Sequence, residues 1–143
     1  MRSVDVNVLL HAAFTGSSEH ASAVACLEQC RRAEGGLSVF SQVAASFIRL
    51  ATDPRVYEAP LAPEQAIGFL EVLLVEPGGR IVQPGQGHWA RFTELVVRHE
   101  LRRGGVTDAW LAAAAMDTRA EWYSYDQGFA RFSGLRWVDP RAA

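Results

Sequence analysis

Three aspartates stand where the chain could hold a metal ion. Asp5 ends a short predicted strand, Asp108 begins a predicted helix after the Gly104-Gly105 turn, and Asp126 follows another predicted strand. In an open parallel sheet, the carboxyl ends of the strands and the amino ends of the helices lie at one edge, where ligands bind. Three carboxylates at that edge would repel one another unless a cation lay between them. The pattern therefore favours a shared metal site on Asp5, Asp108 and Asp126.

The ligand type indicates which ion and which reaction such a site would serve. Oxygen-only ligands favour a hard divalent cation, Mg²⁺ first and Mn²⁺ second. Such an ion lowers the pKa of a bound water and polarises a phosphoryl oxygen. Metal-assisted hydrolysis of a phosphodiester is therefore a reaction that this set of residues could carry out.

Each candidate also has a purely structural interpretation. Asp108 could be the N-cap of its helix, and Asp126 could be a turn residue beside Gly128. Asp5 lies between two valines at a strand end and has no evident structural duty. Asn7 could offer a neutral oxygen to a metal or its water, or it could cap the first helix. The residue pattern alone leaves these alternatives open.

The elements that must position these residues alternate along the chain. Strands are predicted over residues 2–5, 37–39, 80–82, 122–124 and 136–138. Helices are predicted over residues 7–14, from a cap at Ser17 or Ser18 to 33, from a cap at Ser41 to 51, and over 63–74, 87–103 and 108–119, with Gly104-Gly105 as the stop of the fifth. Strands separated by helices predict an α/β fold with a short, mostly parallel central sheet between two helical layers.

Composition bounds the remaining possibilities. At 143 residues, 49% of them hydrophobic and 21% charged, the chain is expected to form one soluble domain over residues 1–143. All fourteen basic residues are arginines, so chemistry that needs a P-loop, Schiff-base or phosphatase lysine is excluded. The net charge of −2 disfavours non-specific coating of nucleic acid but allows local contacts to phosphates.

The cysteines and the apolar runs indicate the compartment. Cys26 and Cys30 share one face of the second predicted helix and are expected to be small buried hydrophobes, because no further zinc ligands stand at suitable spacing. No apolar run is long enough to span a bilayer, and no signal peptide is recognised. We therefore expect no membrane association and a reducing, cytoplasmic location.

Several segments together resemble one known family. Val4 begins VDVNVLLHA, Val106 begins VTDAWLAAAAM and Tyr123 begins YSYDQGFARFSGLRWVDP, and in this order they resemble the acidic motifs of PIN-domain ribonuclease toxins of the VapC type. The middle segment SFIRLATDPRVYEAPLAPEQA is similar to a helix and turn of the same family, so the resemblance runs from Val4 to about Pro140. It implies a PIN-like fold with Asp5, Asp108 and Asp126 as the catalytic, metal-binding acids. It also implies a Mg²⁺-dependent endoribonuclease, the toxin of a type II toxin–antitoxin pair, with RNA as substrate, a VapB-like antitoxin as partner and usually a homodimer.

Two positions depart from the family pattern. Many members carry glutamate where this chain has Ser46, and many carry a further acid where it has Gly128. Three carboxylates favour one protein-held metal with waters over two. Arg49 matches a common arginine of the family, and its role stays open between substrate, partner and an internal ion pair.

Two other functions compete with a ribonuclease toxin. Ser46 makes a catalytically weakened PIN domain credible, one that acts mainly by binding RNA or its antitoxin. A haloacid-type phosphatase with Asp5 as nucleophile is a third hypothesis, but Asn7 stands where its second acid is needed and the catalytic lysine is missing.

Overall fold

The protein folds as an α/β sandwich in a computed structural model that describes residues 1–142. The strands in this part of the chain are β1 (Arg2–Val4), β2 (Leu37–Phe40), β3 (Gly79–Val82), β4 (Glu121–Tyr123) and β5 (Arg136–Val138). The α-helices are α1 (Val6–Ala13), α2 (His20–Arg32), α3 (Ser41–Ala51), α4 (Pro63–Leu73), α5 (His88–Arg98) and α6 (Gly104–Asp117). A short 3-10 turn, Gln127–Arg131, connects the last two strands.

The strands form a single sheet in the order β3-β2-β1-β4-β5, and each pairing is parallel. The chain starts at the centre, moves outward to β3 and returns to β4 on the other side of β1. Because parallel crossovers are right-handed, this reversal puts α1 to α4 on one face and α5 and α6 on the other. The predicted three-layer fold is confirmed, and the order reverses between β1 and β4, where a ligand crevice is expected.

Large aromatic side chains and a run of alanines fill the core. Trp122, Phe40 and Phe47 are fully buried between the layers. Helix α6 contributes Ala112–Ala115, all buried, and such small side chains let a helix approach closely. Cys26 and Cys30 are buried free thiols, as predicted. No helix within residues 1–142 has both the length and the apolar character needed to cross a membrane.

The connection between α5 and α6 differs from the prediction. Helix α5 ends at Arg98 rather than at 103, and Gly104 opens α6 instead of stopping the helix before it. Glu100 and Arg103 have φ angles of 50° and 53°, which are not helical. Leu101 packs so closely that a Cβ added to Gly105 would lie 3.2 Å from its Cδ2. Helix α5 thus ends before residues that the local sequence would continue as helix, and Leu101 packs against the core.

Two predicted helix caps are also different. Helix α2 begins at His20 with no side-chain cap, so neither Ser17 nor Ser18 caps it. Ser41 is the first residue of α3, and its hydroxyl donates to Gln83 Oε1 at 2.8 Å instead of capping the helix. Both differences concern helix ends, where backbone contacts with other segments can replace local capping.

Candidate metal centre

The structure brings the three predicted aspartates to one cavity at the carboxyl edge of the sheet. This cavity has a volume of about 300 Å³ and is lined by Asp5, Asp108 and Asp126. We call it the acidic cavity. It also contains side chains of α3, among them Ser46 and Arg49. Three segments far apart in sequence therefore meet where the strand order reverses, as the sequence predicted.

Asp5 is the most deeply buried of the three carboxylates. It has 6% of its surface exposed, and it lies between the end of β1 and the start of α1. One carboxylate oxygen accepts the backbone N–H of Val6 at 2.7 Å, and the other accepts the hydroxyl of Ser124 at 2.7 Å. Burial, with smaller contributions from the charges of Asp108 and Asp126, raises the pKa of Asp5 to about 6 against the opposing effect of these hydrogen bonds. Asp5 is also the N-cap of α1, a structural duty that its sequence context did not reveal.

Ser124 connects the first and third aspartates. Its fully buried hydroxyl donates to Asp5 and accepts the backbone N–H of Asp126 at 3.0 Å. It also accepts the Asn7 amide at 3.1 Å, while the Asn7 carbonyl accepts the backbone N–H of Tyr125 at 3.2 Å. Asn7 therefore ties α1 to the segment after β4 and does not cap the helix. Sequence analysis missed Ser124, although a serine at the end of an aromatic strand was a signal.

Asp108 lies within α6, not at its start. The helix begins at Gly104, so the interpretation of Asp108 as an N-cap is wrong. One oxygen of Asp108 accepts the Arg131 guanidinium at 2.9 Å. Partial burial and the nearby Asp126 charge raise the pKa of Asp108, while Arg131 opposes that rise. Arg131 is a counterion that sequence analysis did not identify.

Asp126 begins the 3-10 turn that follows β4. Its carboxylate accepts the backbone N–H of Gly128 at 2.8 Å, so it is a turn residue as well as a member of the acidic cavity. The side chain is exposed, unlike that of Asp5. A Cβ added to Gly128 would lie 3.0 Å from an oxygen of Asp126, which leaves little room for a second acid there in this arrangement.

Helix α3 supplies the opposite wall. Ser46 lines the acidic cavity, as the resemblance led us to expect, and its hydroxyl brings no charge. Arg49, one turn further along, also lines the cavity, and within residues 1–142 its guanidinium forms no salt bridge. A cation without a protein partner is therefore available beside the three carboxylates.

The donor set fits a hard divalent cation in type and charge, although it is not gathered around one point. Among residues 1–142, no three His, Cys, Asp or Glu side chains converge closely enough to hold an ion as they stand. The carboxylates accept hydrogen bonds from nearby groups instead. Asp108 accepts from the Arg131 guanidinium, and Asp126 accepts from the backbone N–H of Gly128. Mutual repulsion keeps carboxylates apart without a cation. Ion binding here would require the aspartate side chains to turn toward one another.

The fold and this cavity together define an α/β protein with three carboxylates at the carboxyl edge of its sheet, and sequence comparison specifies the family. Residues 3–135 match the model of the PIN domain, so the chain belongs to the PIN-domain family. The chain is 38% identical over 140 residues to "Ribonuclease VapC43" of Mycobacterium tuberculosis, covering 98% of this chain and 95% of that protein. It is 32% identical over 136 residues to "Ribonuclease VapC33" of the same species, covering 95% of each. The resemblance to VapC-type proteins is thereby confirmed, and the phosphatase hypothesis is set aside.

Solved structures support the same fold. The VapBC2 complex of Rickettsia felis, bound to a DNA fragment from its promoter, contains a chain that superposes with a TM-score of 0.70 at 17% identity, covering 96% of both chains. Mycobacterium tuberculosis VapC20, described as a Sarcin-Ricin loop cleaving toxin, superposes with a TM-score of 0.66 at 17% identity, covering 95% of this chain and 99% of that one. At this identity the likeness concerns the fold.

Proposed function

We propose that this protein is a metal-dependent endoribonuclease and the toxin of a type II toxin–antitoxin pair. The observation that carries the proposal is the meeting of Asp5, Asp108 and Asp126 in one cavity beside Arg49, which forms no salt bridge within residues 1–142. Its relatives are named as ribonucleases, and these names support RNA as the substrate class. The free thiols of Cys26 and Cys30 agree with action in the cytoplasm.

The three aspartates would hold the metal. Their oxygens suit Mg²⁺, with Mn²⁺ as the second choice. A bound ion of this kind lowers the pKa of a water and polarises a phosphoryl oxygen. A cation would also relieve the repulsion among the carboxylates, which is part of what raises the pKa of Asp5 and of Asp108.

The other residues of the acidic cavity would orient these acids and the substrate. Ser124 fixes one Asp5 oxygen, and Asn7 holds Ser124 in place. Arg49 would bind non-bridging oxygens of the RNA phosphate, because a guanidinium matches phosphate geometry with two parallel hydrogen bonds. The negative charge of the substrate would thus meet a protein cation instead of facing only carboxylates.

Cleavage of RNA by the purified protein tests the proposal. We expect cleavage of single-stranded RNA with Mg²⁺ or Mn²⁺, loss of cleavage in excess chelator, and recovery when the ion is restored. Asp108→Asn should abolish it. Asp117→Asn is the matched control. It makes the same substitution at the other end of α6, and Asp117 does not line the acidic cavity. Undiminished cleavage in excess chelator would contradict the metal dependence.

A protein partner is the second part of the proposal. An accessible cluster of carboxylates attracts arginines of another chain, since arginine pairs bidentately with carboxylates. The structural neighbours include VapBC complexes and a toxin–antitoxin complex from Klebsiella pneumoniae, which supports a VapB-like antitoxin. We expect co-purification with the product of an adjacent short gene and a homodimer in light scattering. Separate elution of the two proteins after co-expression would argue against the toxin assignment.

A catalytically weakened PIN domain is the alternative function. Ser46 removes a carboxylate that many relatives carry, and no three ligating side chains within residues 1–142 are gathered around one point. Such a protein would bind RNA or antitoxin with little cleavage. Binding of RNA without metal-dependent cleavage at any Mg²⁺ or Mn²⁺ concentration would favour this alternative.

A further inference from the structure

A second cavity opens beside α1, next to the acidic cavity. It has a volume of about 790 Å³ and lies between the C-terminal end of α1, the turn after it and the segment that leads to α4. The rings of Phe14 and Tyr57 stack in its wall, with centroids 3.8 Å apart and planes at 6°. We call it the aromatic cavity. Its size falls within the range of small-molecule binding sites.

The polar side chains of the aromatic cavity include a histidine with an available nitrogen. His11 lines the cavity, and its Nδ1 is hydrogen-bonded to the hydroxyl of Ser17. Burial lowers the pKa of His11, which favours the neutral form of the ring. Within residues 1–142 its other ring nitrogen has no hydrogen-bond partner. A neutral imidazole of this kind can donate or accept one hydrogen bond, depending on its tautomer.

The charge of the aromatic cavity excludes a phosphate as its preferred ligand. Glu58 is the one acidic residue among its lining residues in the described part of the chain, and no arginine lines it. A phosphate would therefore meet a carboxylate and no cation. A flat, neutral ring with N–H groups fits better, since aromatic faces stack on bases and a carboxylate accepts an exocyclic amino group.

Helix α1 connects the two cavities. Asn7 lines the acidic cavity, while Leu10 and His11 line the aromatic cavity one helical turn further along. From Asn7 to Phe14 the helix rises by only about 10 Å. An RNA strand whose phosphate lay beside the aspartates could thus place a neighbouring base at Phe14 and Tyr57.

We propose that the aromatic cavity binds an unpaired RNA base next to the cleaved bond and thereby contributes to sequence preference. Sequence-specific RNA recognition commonly uses bases that are splayed out of the strand and stacked on aromatic side chains. This inference rests on the proposed ribonuclease function. It names a subsite of the substrate, with His11 and Glu58 as the groups that distinguish one base edge from another.

The test compares cleavage preferences on a pool of short single-stranded RNAs of random sequence, read by sequencing the cleaved ends. Glu58→Gln should change the base preferred at one position flanking the cut, read as the ratio of cleaved ends and therefore independent of the total amount of cleavage. Tyr57→Leu should flatten that preference and weaken binding of a short RNA in chelator by about tenfold, the scale of one lost base stack. Glu94→Gln and Trp89→Leu are matched controls, because both residues are exposed on α5 and line neither cavity.

The outcomes separate this inference from the proposed function. If the wild type cleaves the pool and both variants keep its preference, the base subsite is wrong while the ribonuclease function stands. If the variants keep the preference but lose association with the antitoxin, the aromatic cavity is a protein-docking site and the inference is overturned. If the wild type cleaves no sequence, the proposed function fails and the subsite with it. Because Glu58 is exposed, its variant remains informative even if Tyr57→Leu does not fold.

Discussion

Strand β1 has a charged residue at its start and another just past its end, and the two have very different surroundings. Arg2 donates from Nε to Glu121 Oε1 at 3.1 Å, and both side chains are about one-third exposed. Asp5 is buried, and within residues 1–142 no arginine or histidine forms an ion pair with it. Opposite charges are therefore matched at one end of the strand and left unmatched at the other.

The two ends of β1 therefore differ in whether the charge of the residue is balanced within the fold. The Arg2–Glu121 pair links the neighbouring strands β1 and β4 and leaves no net charge there. At the other end, burial and the charges of Asp108 and Asp126 raise the pKa of Asp5, so the folded protein disfavours its charged form unless a cation binds there. Perturbed groups of this kind cluster at functional sites. The predictions below test this distinction.

The largest expected effect is on cleavage. Asp5→Asn and Asp108→Asn should each lower the rate at least about 100-fold, because each removes a charge that would hold the metal. Arg2→Gln, at the other end of β1, should cleave RNA like the wild type. The measurement is a time course on one RNA at saturating Mg²⁺, with circular dichroism to show that each variant is folded. Wild-type cleavage by either aspartate variant would remove that residue from the proposed ligands.

The next effect is on stability and runs in the opposite direction. The pKa of Asp5 is about 6 in the folded protein against 3.8 for the free group, so the charged form destabilises the native state. Asp5→Asn should therefore stabilise the metal-free protein by up to about 3 kcal/mol above pH 6. The gain should shrink between pH 6 and pH 4 and vanish below, where Asp5 is protonated in both states.

Denaturant unfolding in chelator at pH 4 and pH 8 measures this gain. Asp53→Asn is the control with the opposite sign, since the backbone and side chain of Arg55 lower the pKa of Asp53. Asp53 therefore contributes stability above its ordinary pKa, and its replacement should slightly destabilise the protein at pH 8. Identical unfolding curves for the wild type and Asp5→Asn at pH 8 would show that the charge of Asp5 does not destabilise the metal-free protein.

A smaller effect is expected from restoring a carboxylate on α3. Ser46 lines the acidic cavity without charge, so we expect this protein to need more Mg²⁺ than relatives with glutamate there, or to prefer Mn²⁺. Ser46→Glu should tighten metal binding about tenfold in a calorimetric titration, with a smaller effect on rate. Ala45→Glu adds the same charge to the exposed side of the same helix and should not. Equal affinities for Ser46→Glu and the wild type would show that this position does not border the metal.

The smallest expected effect concerns the counterion of Asp108. Arg131 donates to Asp108 at 2.9 Å, so an incoming ion must compete with a guanidinium for that carboxylate. Arg131→Gln should therefore tighten metal binding a few-fold in the same titration. Arg98→Gln breaks a comparable exposed pair with Glu94 and should have no effect. Weaker metal binding by Arg131→Gln would mean that the arginine orients Asp108 for the metal.

The sequence predicted those features that depend on local pattern. The alternation of strands and helices predicted the parallel sheet. The positions of Asp5 and Asp126 at strand ends predicted that both lie at the carboxyl edge of that sheet. Asp108 reached the same cavity although its place in the helix was predicted wrongly, because the error in the start of α6 amounts to about one turn. An error of one turn in the start of a helix still leaves Asp108 at the edge of the sheet. The same error changes which residue is the N-cap.

The features that escaped prediction depend on contacts between distant segments. Arg131 pairs with a carboxylate 23 residues earlier, and Ser124 bonds to one 119 residues earlier. No local pattern encodes such partners. The end of α5 is a similar case, since its sequence continues with good helix formers although the helix ends at Arg98.

The buried alanines of α6 have a consequence for how this protein can vary. Ala112–Ala115 have no side-chain rotamers to adjust, so this part of α6 can pack closely only in one rotation about the helix axis. An insertion or deletion of one residue between Asp108 and this run would rotate the carboxylate by roughly 100° away from the acidic cavity. The length of this segment should therefore be invariant in active homologues.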